Sequence, residues 1–104
     1  MTAKTQENTE KRLRIKTELQ RNLKPHVSEK TLISARELWL HCVGPDKPIS
    51  WIRSYKTLLK YVSENYKSIF NPVVIGEGSG TRYYIEIDNV VEFLYKFENH
   101  ELDN

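Results

Sequence analysis

The sequence predicts a small α+β fold, and three observations lead to this prediction. Several segments carry apolar residues at intervals of three and four, which is the spacing of amphipathic helices. Two runs rich in β-branched and aromatic residues, Pro72–Ile75 and Thr81–Ile87, flank the glycines of Gly76–Gly80, as the strands of a hairpin flank its turn. The length of 104 residues, with 38% hydrophobic and 29% charged residues, suits one globular domain with a single core.

The first predicted element is a helix from about residue 10 to residue 24, ended by Pro25. Its apolar stripe is narrow and recurs every fourth residue: Ile15, Leu19 and Leu23. Basic side chains cover much of the rest, and residues 1–9 are polar and expected to fray. Three uses of the segment remain open: docking on the domain, pairing with a second copy, or ordering only on a nucleic acid. We divide the chain into this basic N-terminal segment, residues 1–27, and a domain, residues 28–104.

The second helix has the clearest start signal in the sequence. A short β-prone run at residues 31–33 leads into Ser34-Ala35-Arg36-Glu37, which has the S-x-x-E form of a capping box. The apolar residues that follow are Ala35, Leu38, Trp39, Cys42 and Val43. Gly44 and Pro45 stop this helix, and Gly44–Ile49 is predicted to be the turn of a helix-turn-helix unit, longer than the tightest examples.

The third helix is predicted over Trp51–Tyr66, with Ser50 or Ser54 as its N-cap. This register forms one apolar stripe from Ile52, Tyr55, Leu59, Val62 and Tyr66. The basic residues on the other side of the helix are Arg53, Lys56 and Lys60.

The predicted hairpin and a last helix complete the chain. Asp88 can cap that helix, whose apolar members are Val90, Val91, Phe93, Leu94 and Phe97 and whose outward acidic residues are Glu92, Glu98 and Glu101. The predicted order is helix, short strand, helix, helix, two-stranded wing and C-terminal helix. This order is that of a winged helix-turn-helix, in which a basic helix leads directly into a hairpin.

The distribution of charge is more informative than the net charge of +2. Residues 1–30 carry eight Lys or Arg against four Glu, residues 31–70 carry six against three acidic residues, and residues 71–104 carry two against seven. The asymmetry predicts a basic and an acidic end. A basic end is typical of nucleic-acid-binding proteins, although clustered charge is also common on ordinary solvated surfaces.

Four stretches of the chain resemble the excisionase-like and MerR-like helix-turn-helix proteins, which are common in phages and mobile elements. These stretches are Leu32–Leu38, Asn71–Gly76, Thr81–Ile85 and Val91–Leu94. The resemblance covers about residues 31–97 and implies a winged helix that binds DNA. It matches Ser54 to the family's capping serine, Lys56, Thr57 and Lys60 to recognition-helix positions, and Arg82 to the arginine of the wing. The connection from residue 43 to 54 is longer than the family's usual turn.

The expected function is double-stranded DNA binding, and the resemblance implies a role as an accessory or regulatory factor in excision, transfer or transcription of a mobile element. The third helix would enter the major groove, and the hairpin tip would contact the adjacent backbone or minor groove. The expected DNA-binding residues are Ser50, Arg53, Ser54, Lys56, Thr57, Lys60, Ser79, Thr81 and Arg82. Useful specificity requires several bound copies or another DNA-bound protein, such as an integrase or transfer machinery. The alternative is a winged-helix protein–protein interaction module without direct DNA reading.

Other chemistry is not expected from this sequence. The glycines at 76–80 are followed by a strand and not by a helix bearing Lys-Ser/Thr, so they do not form a phosphate-binding loop. His41 and Cys42 are adjacent and the other histidines are distant, so the sequence has no zinc-ligand spacing. It also shows no catalytic constellation, so no cofactor is predicted and the protein is not expected to be an enzyme. The single cysteine, a polar N-terminus and the absence of a roughly 18-residue apolar run favour a cytoplasmic protein that does not bind membranes.

Overall fold

A computed structural model of the chain describes residues 2–23 and 32–102, with side chains from residue 8 onward. The elements in chain order are α1 (Thr2–Leu23), β1 (Leu32–Ser34), α2 (Ala35–Cys42), α3 (Tyr55–Lys60), a π-helical turn (Tyr61–Asn65), α4 (Lys67–Phe70), β2 (Val73–Ile75), a 3-10 turn (Gly78–Gly80), β3 (Arg82–Glu86) and α5 (Ile87–Glu98). The fold is α+β, as the sequence predicts. No helix in the described part of the chain is both long and apolar enough to cross a membrane.

The three strands form one antiparallel sheet in the order β1-β3-β2. Ile33 of β1 lies opposite Ile85 of β3, and both side chains are buried. The observed strands are shorter than predicted: β2 excludes Pro72, which has no N–H for the sheet, and β3 ends before Ile87, which begins α5. The 76–80 segment connects β2 and β3, so the predicted hairpin is confirmed.

All helices pack on one hydrophobic core. Its largest fully buried side chains are Phe70, Phe93, Leu19, Leu23, Ile33, Leu38, Ile49, Leu58 and Ile85. No polar or charged side chain is buried among the described residues. Cys42 is buried in this core, and burial raises the pKa of its thiol to about 12 because the thiolate would lose its solvation.

The start of α2 follows the capping box predicted from the sequence. The Ser34 hydroxyl accepts a hydrogen bond from the Glu37 backbone N–H at 3.0 Å, and the Glu37 carboxylate accepts one from the Ser34 N–H at 3.0 Å. After α2, the Ile49 N–H donates to the Cys42 carbonyl at 3.0 Å, and the Gly44 N–H donates to the Ile49 carbonyl at 2.9 Å. These bonds and the buried Ile49 side chain hold the long connection against the core.

Of the two N-caps predicted for the third helix, the structure has the later one, Ser54, and the predicted continuity of the helix to Tyr66 is wrong. The helix begins at Tyr55 and not at Trp51, because Ile52 is buried in a non-helical segment and Ser54 has the extended backbone of an N-cap. It then widens at Tyr61–Asn65 into a π-helical turn, in which the Tyr66 N–H donates to the Tyr61 carbonyl at 2.8 Å.

The predicted apolar stripe of this helix is also corrected. Leu58 and Val62, four residues apart, are fully buried, whereas Leu59 is only partly buried. The buried face of the helix is therefore centred on Leu58 and Val62 and not on Leu59. Tyr55 and Tyr66 pack at the margin of the core, as partly buried side chains.

The N-terminal helix is longer than predicted and begins at Thr2, where fraying was expected. Ile15, Leu19 and Leu23 are buried, and α1 contacts α5 and α2. Of the three uses left open, the structure therefore shows docking on the domain. Pro25 and the predicted boundary between residues 27 and 28 lie outside the described residues.

Docking of α1 on α5 brings the basic and acidic ends of the chain together. The salt bridges Arg12–Glu92, Arg14–Glu98 and Lys16–Asp88 have N–O distances of 2.9, 3.0 and 2.9 Å. Glu92 and Glu98 therefore face α1 and do not simply point outward as predicted. Asp88 is not the cap of α5; Glu86 holds the N-cap position and Asp88 lies in the first turn.

Candidate nucleic-acid interface

Helix α3 has a buried side and an exposed basic side. Its inner side contacts α2, where the rings of Trp39 and Tyr55 lie 6.0 Å apart, and its Leu58 side chain is fully buried. Lys56 and Lys60 are each two positions from Leu58, which places them roughly 160° around the helix from it. Both lysines are exposed. The packing of α3 on α2 therefore presents two ammonium groups on the outer side.

The hydroxyls at the start of α3 are used for capping. The Ser54 hydroxyl accepts a hydrogen bond from the Thr57 N–H at 3.1 Å and shares a second with the Thr57 hydroxyl at 2.9 Å. This confirms Ser54, and not Ser50, as the N-cap. Ser50 lies exposed in the preceding connection. Ser54 and Thr57 fix the first turn of α3. The cationic side chains around them take no part in this capping.

The cations near α3 differ from those of α1 in their partners. Arg53, Lys56 and Lys60 are exposed, and none of them forms an ion pair with another described residue. In α1, by contrast, Arg12, Arg14 and Lys16 form salt bridges with α5. In Arg12 this pairing is bidentate, and the guanidinium also stacks 4.0 Å above the Tyr95 ring. Around α3, three neighbouring cations are therefore left without a carboxylate partner among the described residues.

The hydrogen bonds that Arg12 of α1 donates to Glu92 of α5 shift the pKa of both groups. They lower the pKa of Glu92, because the bonds favour its ionised form. Glu92 hydrogen-bonding in turn raises the pKa of Arg12. Part of the negative charge of α5 is therefore neutralised by α1 of the same chain.

The hairpin tip carries little positive charge. Ser79 and Arg82 are exposed, whereas the Thr81 hydroxyl donates to the Gly78 carbonyl at 2.8 Å and so stabilises the turn. Gly76 has φ of +92°, and a Cβ there would lie 2.5 Å from the Gly80 carbonyl oxygen. Backbone geometry therefore requires glycine at position 76, and Arg82 supplies the positive charge near the hairpin tip.

The predicted site residues fall into two groups on separate elements. Ser50 and Arg53 precede α3, which carries Lys56, Thr57 and Lys60 behind its cap Ser54, while Ser79, Thr81 and Arg82 belong to the hairpin. Sequence reasoning did not include Lys67, an exposed residue of α4. A helical wheel could not place it, because the π-helical turn between Lys60 and Lys67 breaks the regular register.

Comparison of the chain with family models, with curated proteins and with solved structures found no match. Among the described residues, no group of three or more His, Cys, Asp or Glu is close enough to hold a metal ion.

Proposed function

We propose that the chain is a winged helix-turn-helix protein that binds double-stranded DNA, with α2 and α3 as the helix-turn-helix unit and the β2–β3 hairpin as the wing. The observation that carries the proposal is the exposed, unpaired positive charge of Lys56 and Lys60 on a helix that packs through its opposite side, with exposed Arg53 just before that helix. Exposed cations without carboxylate partners can exchange their counterions for DNA phosphates, which drives binding.

The position of each cation suggests its role. Lys56 lies in the first turn of α3, the end that recognition helices commonly direct at base edges, and Arg53 lies just before it. Lys60 is one turn further along and is assigned to phosphate. Arg82 at the hairpin tip is assigned to the neighbouring backbone or minor groove. Thr57 and Ser54 hold the turn that aims these groups.

The biological setting of the proposal comes from the resemblance to excisionase-like and MerR-like proteins. It is an accessory or regulatory role in excision, transfer or transcription of a mobile element, in the cytoplasm and without catalysis. A single module of this size reads few base pairs, so cooperation with a second copy or with another DNA-bound protein is part of the proposal.

The test is a salt titration of duplex binding, measured by fluorescence anisotropy. Loss of one phosphate contact should weaken binding to random duplexes and reduce the log–log salt slope by about one unit. Lys60→Ala and Arg82→Ala are expected to behave in this way. On a duplex selected for tight binding, loss of a base contact should cost about 1–3 kcal/mol with little effect on random DNA. Arg53→Ala and Lys56→Ala are expected to show this second pattern.

The matched control is Arg21→Ala, which removes one exposed cation from α1 and so makes the same change in net charge. It should leave both the affinity and the salt slope nearly unchanged. An Arg21→Ala effect equal to that of Lys60→Ala would mean that total charge, and not the α3 surface, governs binding. The proposal fails if all four α3 and hairpin variants bind as the unaltered chain does.

A protein–protein interaction module is the second candidate, and the hairpin favours it. Val73, Val74 and Ile75 of β2 are 48%, 50% and 55% exposed on an edge strand, which is an apolar surface more suited to protein than to phosphate. This candidate predicts no salt-sensitive DNA binding at micromolar protein. It also predicts that Val74→Lys abolishes association with the partner while leaving the fold intact, because the side chain is half exposed.

A further inference from the structure

The π-helical turn after α3 gathers aromatic rings that a regular helix would separate. Tyr61 and Tyr66 are five residues apart, which in an α-helix would direct them about 140° apart. The wider turn, closed by the Tyr66 N–H to Tyr61 carbonyl bond, brings their rings to 5.1 Å in an edge-to-face contact. Both rings also contact Phe93 of α5, at 6.0 and 5.3 Å. The extra residue of the turn therefore builds one wall of an aromatic site.

Two further rings come from the connection before α3 and from the end of α5, and Trp51 also lies 6.5 Å from Phe93. Trp51 and Phe97 stack in parallel, with ring centroids 3.9 Å apart and an interplanar angle of 3°. These five rings, together with His100 and Leu102, line a pocket of about 320 Å³. This volume lies at the lower end of the range of small-molecule sites, so it suits a compact ligand of one or two rings.

The chemistry of the lining points to a neutral aromatic ligand. Five of the lining side chains are aromatic, and none is a carboxylate, ammonium or guanidinium. Among the described residues, the hydroxyls of Tyr61 and Tyr66 and the His100 ring make no hydrogen bond, and no unsatisfied polar side-chain atom is fully buried. These groups are therefore accessible to a ligand that carries one donor or acceptor. An ion would find no compensating charge there.

His100 is placed at this pocket by the end of α5. Its φ is +57°, a left-handed conformation in which glycine is the usual residue. The Glu101 N–H donates to the Lys96 carbonyl at 2.8 Å and the His100 N–H to the Phe97 carbonyl at 3.1 Å, which is the Schellman pattern. A histidine here costs more backbone energy than a glycine would, and what it adds is an imidazole beside the aromatic rings.

We propose that this pocket binds a neutral, planar aromatic molecule bearing one hydrogen-bonding group, which stacks among the rings and bonds to a tyrosine hydroxyl or to His100. The site is separate from the basic surface of α3, although Trp51 and Tyr61 flank that helix in sequence. The inference does not depend on DNA binding, and its test contains no DNA.

The test is a titration of the full chain with indole, followed by ¹H–¹⁵N NMR. Indole should shift the side-chain N–H resonance of Trp51 saturably with a Kd of about 1 mM or tighter, while the Trp39 resonance, identified by Trp39→Phe, stays in place. His100→Gly suits the left-handed backbone and keeps the turn, so the loss of its ring should weaken binding about 2–10-fold without unfolding. Phe97, which is 40% exposed, can be replaced by Ala with a similar weakening.

The control is Leu40→Ala, a substitution of another exposed apolar side chain, on α2. It should bind indole as the unaltered chain does. The proposal is overturned if the Trp51 shift does not saturate, or if Leu40→Ala weakens binding as much as His100→Gly and Phe97→Ala do. It is also overturned if a tryptophan-containing peptide binds the pocket and free indole does not, because the site would then recognise a protein partner.

Discussion

Leu58→Ala and Leu59→Ala test the rotational setting of α3, on which the assignment of its outer face depends. Leu58 is 0% exposed, whereas Leu59 is only partly buried. Truncation of Leu58 removes about 2–2.5 kcal/mol of transfer free energy and leaves a cavity, for an expected total of about 3–5 kcal/mol. Leu59→Ala should cost less than about 2 kcal/mol, because part of its side chain already contacts water.

The assay is urea and thermal unfolding followed by far-UV circular dichroism. A loss of about 3 kcal/mol or more should lower the Tm by roughly 12 °C or more in a domain of this size. The two substitutions remove the same atoms from neighbouring positions, so each serves as the control for the other. A larger cost for Leu59→Ala than for Leu58→Ala would support the stripe predicted from spacing and would refute the rotational setting of α3 in which Leu58 is the fully buried residue.

Three further predictions concern the core, the helix pair and the hairpin. Because Arg12 lowers the pKa of Glu92, their pair stabilises the fold above the ordinary carboxyl pKa of about 4.3, and this contribution is lost as pH falls through the lowered value. Glu92→Gln should therefore flatten the acid side of the stability profile in urea unfolding, and should cost under about 1 kcal/mol near neutral pH because both partners are 35–41% exposed. Cys42, with a thiol pKa raised to about 12, should resist a thiol reagent in the folded state and react on unfolding; rapid reaction of the folded chain would contradict its burial. Gly76→Ala should cost about 1–3 kcal/mol in thermal unfolding, and Gly80→Ala, whose Cβ would meet nothing within 4 Å, should cost less; equal effects would contradict the described turn.

Local signals predicted the structure well where neighbouring residues alone set the conformation. The capping box of Ser34 and Glu37 was identified from four consecutive residues, and both of its hydrogen bonds are present. The glycines at 76–80 likewise indicated a turn because glycine tolerates positive φ, which Gly76 and Gly78 adopt. The buried state of Cys42 followed from its place on an apolar helix face.

Spacing was less reliable along the third helix. Periodicity assumes an uninterrupted helix, and from Trp51 to Tyr66 the chain is first a non-helical anchor, then a helix, then a π-helical turn. The segment before α3 is non-helical because Ile49 and Ile52 are buried in the core. Their burial depends on residues that are distant in sequence. The candidate basic residues were found nonetheless, because lysines and arginines with no apolar role are exposed in either register.

The aromatic pocket was not predicted at all. The sequence places Tyr66 on the apolar stripe of the third helix, and a spacing of five residues from Tyr61 indicates no shared face in a regular helix. The signal available in hindsight was the pair Tyr61 and Tyr66 together with Phe93 and Phe97. These residues form one site only because the wider helical turn lets both Tyr61 and Tyr66 pack against Phe93 of α5.

The sequence by itself determined the α+β class, the hairpin, the capped second helix and the set of basic residues, because each follows from the properties of adjacent residues or from simple periodicity. The tertiary structure alone decided which positive charges remain available. Charges counted along the chain separated a basic from an acidic end, but the docking of α1 on α5 pairs these ends across about 80 positions of sequence. Electrostatic interaction depends on distance in space, so the unpaired basic surface at α3 could be recognised only after the chain had folded.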